Sequence, residues 1–410
     1  MRAVSKASLG FVLVATAALA LAACAPKQSR TVSTTAQPSA TSSSGSSVAT
    51  QGKVLPAGQP VKVAVLLPLS GRLPEIGQQL MNASQLALFD LPQNSLELLI
   101  KDSGDTPEMA AQAMQQALNE GAQLALGPLF GNQVRAAANV ARGGNVNLVA
   151  FSNDVRQLDG YSFLMGLTPT AQAERVVSYA VQQGFGQVAV LAPDTDFGRQ
   201  AAQGAQSGAS SAGGQVVSTV FYPAQELDII NQIRALTGPY QALFLPDSHG
   251  RMLILGSTLA SEGITPETTK LLGSTLWNNG ALTNDPNLRG AWFPAMNPQT
   301  YNNFVARYQE AYGATPQPIA AVAFDAVTLA GYLARQALSG QVNAATTTPG
   351  QWVGLDRNSI LNPSGFRGAD GIFRFQQNGA VQRGLAIMQI DSGTFTMIAP
   401  APNSFQTLTN

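Results

Sequence analysis

From residue 61 onward, short apolar runs alternate with segments that carry apolar residues at helical spacing, and this alternation constrains the fold more than any other feature. The first run, VKVAVLL at 61–67, is continuously apolar, as expected for a strand that is covered on both faces. Repeated strand–helix–strand units of this length indicate parallel sheets. We predict further strands at 96–100, 124–126, 147–150, 161–167, 187–192, 215–222, 242–245 and 270–273.

The helical segments begin and end at residues with suitable capping chemistry. Thr106 is a good N-cap, and Pro107 suits the first helical position that follows it. Gly121 suits the end of the same helix. We predict helices at 76–89, 107–120, 132–141, 171–183, 197–212, 225–236 and 250–262.

The last third of the chain has a different pattern. Helices are predicted at 302–312 and 321–339, followed by a loop-rich stretch at 340–369. Consecutive short strands then follow, with turns at 378–379 and 392–393 that are typical of antiparallel pairs. An open sheet rarely exceeds about ten strands, so two sheets fit the length better than one. The predicted fold class is therefore α/β, with two doubly wound, Rossmann-like lobes.

Composition excludes several classes of function. Only 11% of the residues are charged, the net charge is zero and no basic stripe is visible, so we predict no nucleic-acid partner. The chain has one histidine, His249, and one cysteine, Cys24, which exclude the usual zinc sites. Gly-rich phosphate loops are absent from the sequence. We therefore predict no metal, no cofactor and no enzymatic activity.

The first 24 residues are predicted to be a targeting signal. Residues 9–20 are apolar but too short to span a bilayer, as in the hydrophobic region of a signal peptide. Leu-Ala-Ala-Cys at 21–24 resembles the lipobox of bacterial lipoproteins, and a plain secretory signal is the alternative. The resemblance implies removal of residues 1–23 and lipidation of Cys24, and Ala25 implies the periplasmic face of the outer membrane. Residues 24–60, rich in Ser and Thr, are predicted to form a disordered tether from this anchor.

The chain from about 61 to 400 resembles the type I periplasmic binding proteins of the branched-chain amino-acid class. Matching segments include VAVLLPLSGRLPEIGQQLMNASQLAL, LALGPLFGNQV, GQVAVLAPDTDFGRQ and GADGIFRFQQNG. The resemblance implies two lobes with a ligand between them. It places the first lobe at 61–168 and 296–340, and the second at 169–295 and 341–405.

Open α/β sheets place ligands at the carboxyl ends of their strands, so the loops there are the predicted cleft. The candidate cleft residues are Ser70, Gly71, Arg72, Phe130, Gly131, Ser152, Asn153, Asp154, Asp196, Phe197, Asp247, Thr275 and Trp277.

The resemblance also implies which groups would hold an amino acid. The family binds the ligand carboxylate with a serine after strand three and a Ser/Thr loop after strand four, and the ammonium with an acid in the second lobe. Here Gly131 stands about where the first serine would be, and Asp154 joins Ser152 in the second loop. The loop at 274–279 has no acid, so we predict weak amino-acid recognition. Trp277 and Phe130 either stack on an uncharged ligand or pack between the lobes.

Two segments, LPLSGR and LGPLFGNQV, are similar to the carboxy-terminal domain of the penicillin-binding-protein activators of the Lpo type. Those outer-membrane lipoproteins bind and stimulate peptidoglycan synthases. The resemblance implies a non-enzymatic regulator whose partner is a peptidoglycan synthase. The alternative is a solute-binding lipoprotein of an ABC transporter, with an ABC permease as partner and an amino acid, amide or other small polar molecule as ligand.

Overall fold

The computed structural model describes residues 52–340, 342 and 344–405. The first sheet is parallel throughout, in the order β2-β1-β3-β4-β5. Its elements, in chain order, are β1 Val61–Leu67, α1 Pro74–Phe89, β2 Leu96–Asp102, α2 Pro107–Asn119, β3 Leu124–Leu126, α3 Gly131–Gly143, β4 Leu148–Ala150 and β5 Phe163–Leu164.

Local chemistry explains why these elements form where the sequence predicts them. The Thr106 hydroxyl accepts a hydrogen bond from the Met109 backbone N–H at 3.3 Å, which caps α2 as predicted. β1 is buried along nearly its whole length because helices cover both faces of the sheet. It pairs with β2 from Val61 opposite Leu96 to Leu67 opposite Asp102. This register brings the loops after both strands to one edge.

The second sheet has seven strands in the order β15-β14-β10-β9-β8-β6-β7, with β14 and β15 antiparallel to their neighbours. The remaining elements, in chain order, are α4 Pro169–Gln182, β6 Gln187–Pro193, α5 Asp196–Ser211, β7 Gln215–Tyr222, α6 Ile230–Arg234, β8 Ala242–Leu245, α7 His249–Ser261, β9 Lys270–Gly273, β10 Trp292–Ala295, α8 Pro298–Tyr312, α9 Ala320–Leu338, α10 Arg357–Ile360, β11 Phe366–Gly368, β12 Gly371–Phe375, β13 Val381–Arg383, β14 Ala386–Asp391 and β15 Thr394–Ala399. The two predicted sheets and the α/β class are confirmed.

The chain crosses between the two sheets at 165–168, 296–297 and 384–385. Helices α8 and α9 return to the first sheet, where Phe304 and Leu333 share a core with Val63 of β1. A short antiparallel sheet, β11-β12-β13, extends that core. Among the described residues, no helix is both long enough and apolar enough to cross a bilayer.

The predicted second part of lobe 2, 341–405, is divided in the structure. Phe366, Phe373 and Val381 pack in the core of the first sheet, and the rings of Phe375 and Phe163 meet edge to face at 5.1 Å. Only β14 and β15 join the second sheet. Consecutive hairpins carry no local signal for the sheet that they join. We therefore propose that the first lobe continues to residue 383.

Three individual elements differ from the sequence predictions. The helix predicted at 225–236 is reduced to α6, because a turn at 224–225 delays its start to Ile230, whose backbone N–H donates to Asp228 Oδ1 at 3.2 Å. The strand predicted at 161–167 is only Phe163–Leu164. Strand β10 was not predicted, because it is short and contains Pro294, a residue that argues against a central strand.

Candidate functional site

A cavity of about 520 Å³ lies between the two lobes at the carboxyl ends of β3 and β4 and the amino ends of α4 and α5. This is the place that doubly wound sheets offer to ligands. We call it the cleft cavity. Its lining comprises Leu129, Phe130, Gly131, Asn132, Ser152, Asn153, Asp154, Arg156, Pro169, Asp196, Phe197 and Gln200.

The cleft cavity thus brings together part of the predicted set. The predicted residues that line it are Phe130, Gly131, Ser152, Asn153, Asp154, Asp196 and Phe197. The predicted residues that do not line it are Ser70, Gly71, Arg72, Asp247, Thr275 and Trp277. Arg156, Asn132 and Gln200 line it and were missed.

Gly131 and Asp154 lie side by side at the position where the sequence resemblance implied a serine. A Cβ added at Gly131 would lie 3.1 Å from Asp154 Cβ and 3.4 Å from Ser152 Oγ. Ser152 Oγ in turn accepts the backbone N–H of Asp154 at 3.1 Å, which fixes the loop. A serine at 131 would therefore be crowded by the carboxylate side chain that stands there.

Asp154 is an ionised, saturated acceptor. It receives hydrogen bonds from Arg156 Nε at 2.8 Å, from Arg156 Nη2 at 3.0 Å and from Gln157 Nε2 at 2.9 Å. These hydrogen bonds hold the pKa of Asp154 below its usual value despite its partial burial, and the bond from Arg156 has the largest effect on that pKa. A ligand carboxylate in the cleft cavity would face this negative charge.

Arg156 connects the two lobes. It lies on the short 3₁₀ turn Val155–Gln157 after β4, and its Nη1 is 2.5 Å from Asp196 Oδ2 at the start of α5. The hydrogen bond to Asp154 raises the pKa of Arg156, and the charge of Asp196 adds to that. The sequence held one usable signal, since Arg156 is the basic residue nearest to the predicted Asp154 loop.

The turn at 70–72 is built around Asp102 rather than around the cleft cavity. Asp102 Oδ1 accepts the backbone N–H groups of Leu69 at 3.0 Å, Ser70 at 3.2 Å and Gly104 at 2.9 Å. Burial raises the pKa of Asp102, but the hydrogen bonds from Ser70 and these N–H groups outweigh it and leave the pKa lowered. The backbone N–H groups of this turn are therefore used in hydrogen bonds to Asp102, at the end of β2.

Gly71 and Arg72 are held in the same loop cluster. Gly71 has φ +91°, and a Cβ there would lie 2.8 Å from Asp105 Cγ, so glycine is required. Arg72 Nε pairs with Asp105 Oδ2 at 3.2 Å, and its guanidinium lies 5.4 Å from the ring centre of Phe130. Arg72 therefore touches a residue of the cleft cavity without lining it.

In the second lobe, Asp247 and Thr275 are occupied by neighbours. The Tyr222 hydroxyl donates to Asp247 Oδ2 at 2.5 Å, and burial, followed by this hydrogen bond, raises the pKa of Tyr222. Thr275 donates its backbone N–H and its hydroxyl to Gln172 Oε1, at 3.1 and 2.7 Å. Both predicted residues fix loops at the edge of the sheet.

Trp277 is a core residue. It is fully buried among the apolar side chains of the second lobe, and none of the described residues hydrogen-bonds to its indole N–H. Its ring occupies the space above Gly273, where an added Cβ would come within 2.1 Å of it. Trp277 therefore neither lines the cleft cavity nor packs between the lobes, contrary to both expectations.

Two further points concern the predicted lipid anchor and metal binding. Cys24, the predicted lipidation site, lies outside the described residues. Within the part of the chain that the structure describes, no group of three or more His, Cys, Asp or Glu side chains could hold a metal ion.

Comparison with known proteins identifies the fold. A family model described as periplasmic binding protein matches residues 60–394. A putative branched-chain amino acid ABC transporter protein from Rhodospirillum rubrum superposes with TM-score 0.69 and 20% identity, covering 83% of this chain and all of that chain. A leucine-binding protein from Thermotoga maritima gives TM-score 0.56 and 20% identity, covering 83% and 98%. At these identities the likeness concerns the fold alone.

The curated relatives match a smaller part of the chain. Penicillin-binding protein activator LpoA from Glaesserella parasuis is 29% identical over 147 residues, which is 34% of this chain and 24% of that protein. LpoA from Haemophilus ducreyi is 29% identical over 143 residues, with the same shares. The matched region thus spans about a quarter of the length of these relatives.

Proposed function

The chain belongs to the periplasmic binding protein family, and on that premise we propose that it is a non-enzymatic periplasmic lipoprotein that binds and regulates a peptidoglycan synthase. The partial similarity to two LpoA proteins, which are activators of penicillin-binding proteins by name, supports this proposal. In this view the two-lobed domain serves as a protein-binding module, and the cleft keeps its shape without needing a transported solute.

The observation that carries the proposal is the ion pair across the cleft cavity. A bound solute holds two lobes together by contacting both of them. Here Arg156 contacts Asp154 in its own lobe and Asp196 in the other. An amino-acid ammonium group would compete with this guanidinium, and its carboxylate would face Asp154. The chain thus supplies the interlobe contact that a ligand would otherwise make.

The predicted anchor and tether fit a partner at a distance. The end-to-end distance of a random-coil tether of n residues averages roughly 5–6 Å × √n. Fully extended, the same tether would span about 3.3 Å per residue. Lipidation of Cys24 would place the domain at the periplasmic face of the outer membrane. The tether would then let the domain reach a synthase some distance away.

The test is reconstitution with purified components. The mature chain is added to a bifunctional penicillin-binding protein supplied with lipid-linked precursor, and glycan polymerisation and peptide cross-linking are followed separately. We expect saturable binding and an increased rate of at least one reaction. Because the net charge is zero, binding should weaken only modestly with salt. If the chain neither binds nor stimulates any synthase of the same cell, the proposal is wrong.

A second candidate function is solute binding for an ABC permease. The cleft cavity of about 520 Å³ favours it, because that volume lies within the usual range of ligand pockets. Thermal unfolding with free amino acids, amides and sugars tests it, since a ligand at 100-fold its Kd adds about 2.7 kcal/mol. We expect no shift with free amino acids. A clear shift that is lost in Asp196→Asn would favour the transport function instead.

A further inference from the structure

A second interlobe cavity lies on the flank of the molecule. It has a volume of about 510 Å³ and is enclosed by α4 and α5 of the second lobe and by the β12–β13 hairpin of the first. None of its lining residues also lines the cleft cavity. We call it the flank cavity. The site is separate from the proposed function and does not depend on it.

The floor of the flank cavity is formed by two closely packed helices. A Cβ on Gly204 would come within 2.3 Å of Thr170 O, and one on Gly208 within 2.7 Å of Glu174 O. Only glycine permits this approach of α5 to α4. The residues that precede these glycines, Gln203 and Ser207, therefore lie beside Glu174 along the floor.

One ionisable side chain in the flank cavity, Glu174, has unused hydrogen-bonding capacity. In the described part of the chain, the Glu174 carboxyl has no hydrogen-bond or ion-pair partner, and burial raises its pKa. Arg383 is fully buried, with Nη1 on Asp325 Oδ2 at 2.7 Å and Nη2 on Met165 O at 3.3 Å, while its Nε has no partner. The Arg383 side chain has no accessible surface, so a ligand in the flank cavity could reach Glu174 but not this guanidinium.

The rest of the lining defines which chemistry would fit. It is rich in hydroxyl and carboxamide groups, including Ser178, Gln376 and Gln382, and it contains no aromatic ring. Glu174 would oppose an anionic ligand, whereas Arg175 would oppose a cationic one. Carboxamides pair well with amides and hydroxyls with hydroxyls, because each group is both donor and acceptor.

We propose that the flank cavity binds a small, uncharged molecule rich in hydroxyl and amide groups, of the class of N-acetylated saccharides, and that the molecule contacts both lobes. Hydroxyls of the ligand donate to Glu174, and an amide or hydroxyl oxygen accepts from the carboxamide of Gln203 on the floor of the cavity. Val381 and Leu385 provide apolar contact for methyl and ring C–H groups. A ligand held between α4 and the hairpin stabilises one arrangement of the lobes.

The test uses the mature full chain and N,N′-diacetylchitobiose as the probe in isothermal titration calorimetry. Ser207→Trp fills the cavity from an exposed position on α5, and Ser210→Trp places the same ring at another exposed position outside it. We expect saturable binding that is abolished by Ser207→Trp and kept by Ser210→Trp. Gln203→Ala should weaken binding by about three- to tenfold, the effect of one lost hydrogen bond.

Two further binding measurements identify the class of ligand. Maltose, which has hydroxyls but no amide, should bind at least severalfold more weakly than the probe. An uncharged blocked dipeptide should not compete with it. Absence of probe binding to the folded wild type, equal loss in both tryptophan variants, or tighter binding of the dipeptide would each overturn the proposal. Synthase stimulation is measured in parallel, so failure of this site is distinguishable from failure of the proposed function.

Discussion

Arg156 Nη1 lies 2.5 Å from Asp196 Oδ2, and this pair joins the turn after β4 in the first lobe to the start of α5 in the second. The same guanidinium is bound to Asp154 through Nε and Nη2. Three charged groups thus meet across the cleft cavity. Substituting the charged side chains tests whether contacts within the chain set the separation of the lobes.

Arg156→Ala should shift the lobes toward a more open arrangement, because it removes the contact between them. Both side chains are 58% exposed, so the shift in the ratio of closed to open molecules should be modest, roughly severalfold at most. Distances between spin labels on α3 and α5, measured in a Cys24→Ser background, report the opening.

Arg199→Ala is the matched control. Arg199 lies on α5, as Asp196 does, and pairs with Asp194, but both Arg199 and Asp194 belong to the second lobe. The distance distribution should therefore be unchanged in this variant. Equal distributions for Arg156→Ala and the wild type would show that other contacts hold the lobes together.

A second prediction concerns the buried cluster of Asp325, Arg383 and Asp370. Arg383 Nη1 is 2.7 Å from Asp325 Oδ2 and 3.6 Å from Asp370 Oδ2, and within the described ranges the Asp370 oxygens accept no hydrogen bond. Burial raises the pKa of Asp370 to about 7. Arg383 partly offsets this rise, and the charge of Asp325 adds to it.

The native state therefore binds the Asp370 proton more tightly than the unfolded chain, where the pKa is 3.8. The stabilisation from this group is fully present below about pH 4 and is lost as the pH rises to about 7. Asp370→Asn should make the free energy of unfolding less dependent on pH across that window. Urea unfolding at several pH values measures it, with exposed Glu226→Gln as control. Parallel pH profiles for Asp370→Asn and the wild type would contradict the prediction.

The position of Trp277 gives a third prediction. Because its ring is fully buried in the core, Trp277→Ala should lower the free energy of unfolding by about 3–5 kcal/mol. Trp277→Phe should cost clearly less, because the indole N–H has no partner to lose. Phe89→Ala, at a side chain that is 79% exposed, should change stability by at most about 0.5 kcal/mol. A Trp277→Ala variant with wild-type stability would show that the core does not depend on this ring.

The fourth prediction concerns the membrane anchor. If Cys24 carries lipid, Cys24→Ser should move the protein from the membrane fraction to the periplasmic fraction, since acyl chains provide the attachment. Fractionation and labelling with a radioactive fatty acid measure this directly. Ser33→Ala, a substitution of similar size in the predicted tether, should remain in the membrane fraction and stay labelled. A wild-type protein without label would refute the anchor.

Several features were accessible from the sequence because they depend on neighbours along the chain. The continuous apolar run of β1, the Thr106 cap of α2 and the strand–helix alternation predicted the two sheets. The loops at the carboxyl ends of strands gave Phe130, Gly131, Asp154 and other lining residues of the cleft cavity. Such signals are local, and the topology of parallel sheets then places these loops together.

Other features were decided only by tertiary contacts. The sequence places Trp277 in a predicted cleft loop, but in the structure its ring packs above Gly273 in the core of the second lobe. Likewise, no local pattern packs β11–β13 against the core of the first sheet, pairs Arg156 with Asp196 or buries Asp370 beside Arg383. Local sequence determined the elements and their order, because capping and periodicity act over a few residues. The tertiary structure decided which charges and rings meet, because those contacts join residues far apart in the chain, where packing and desolvation select the partner.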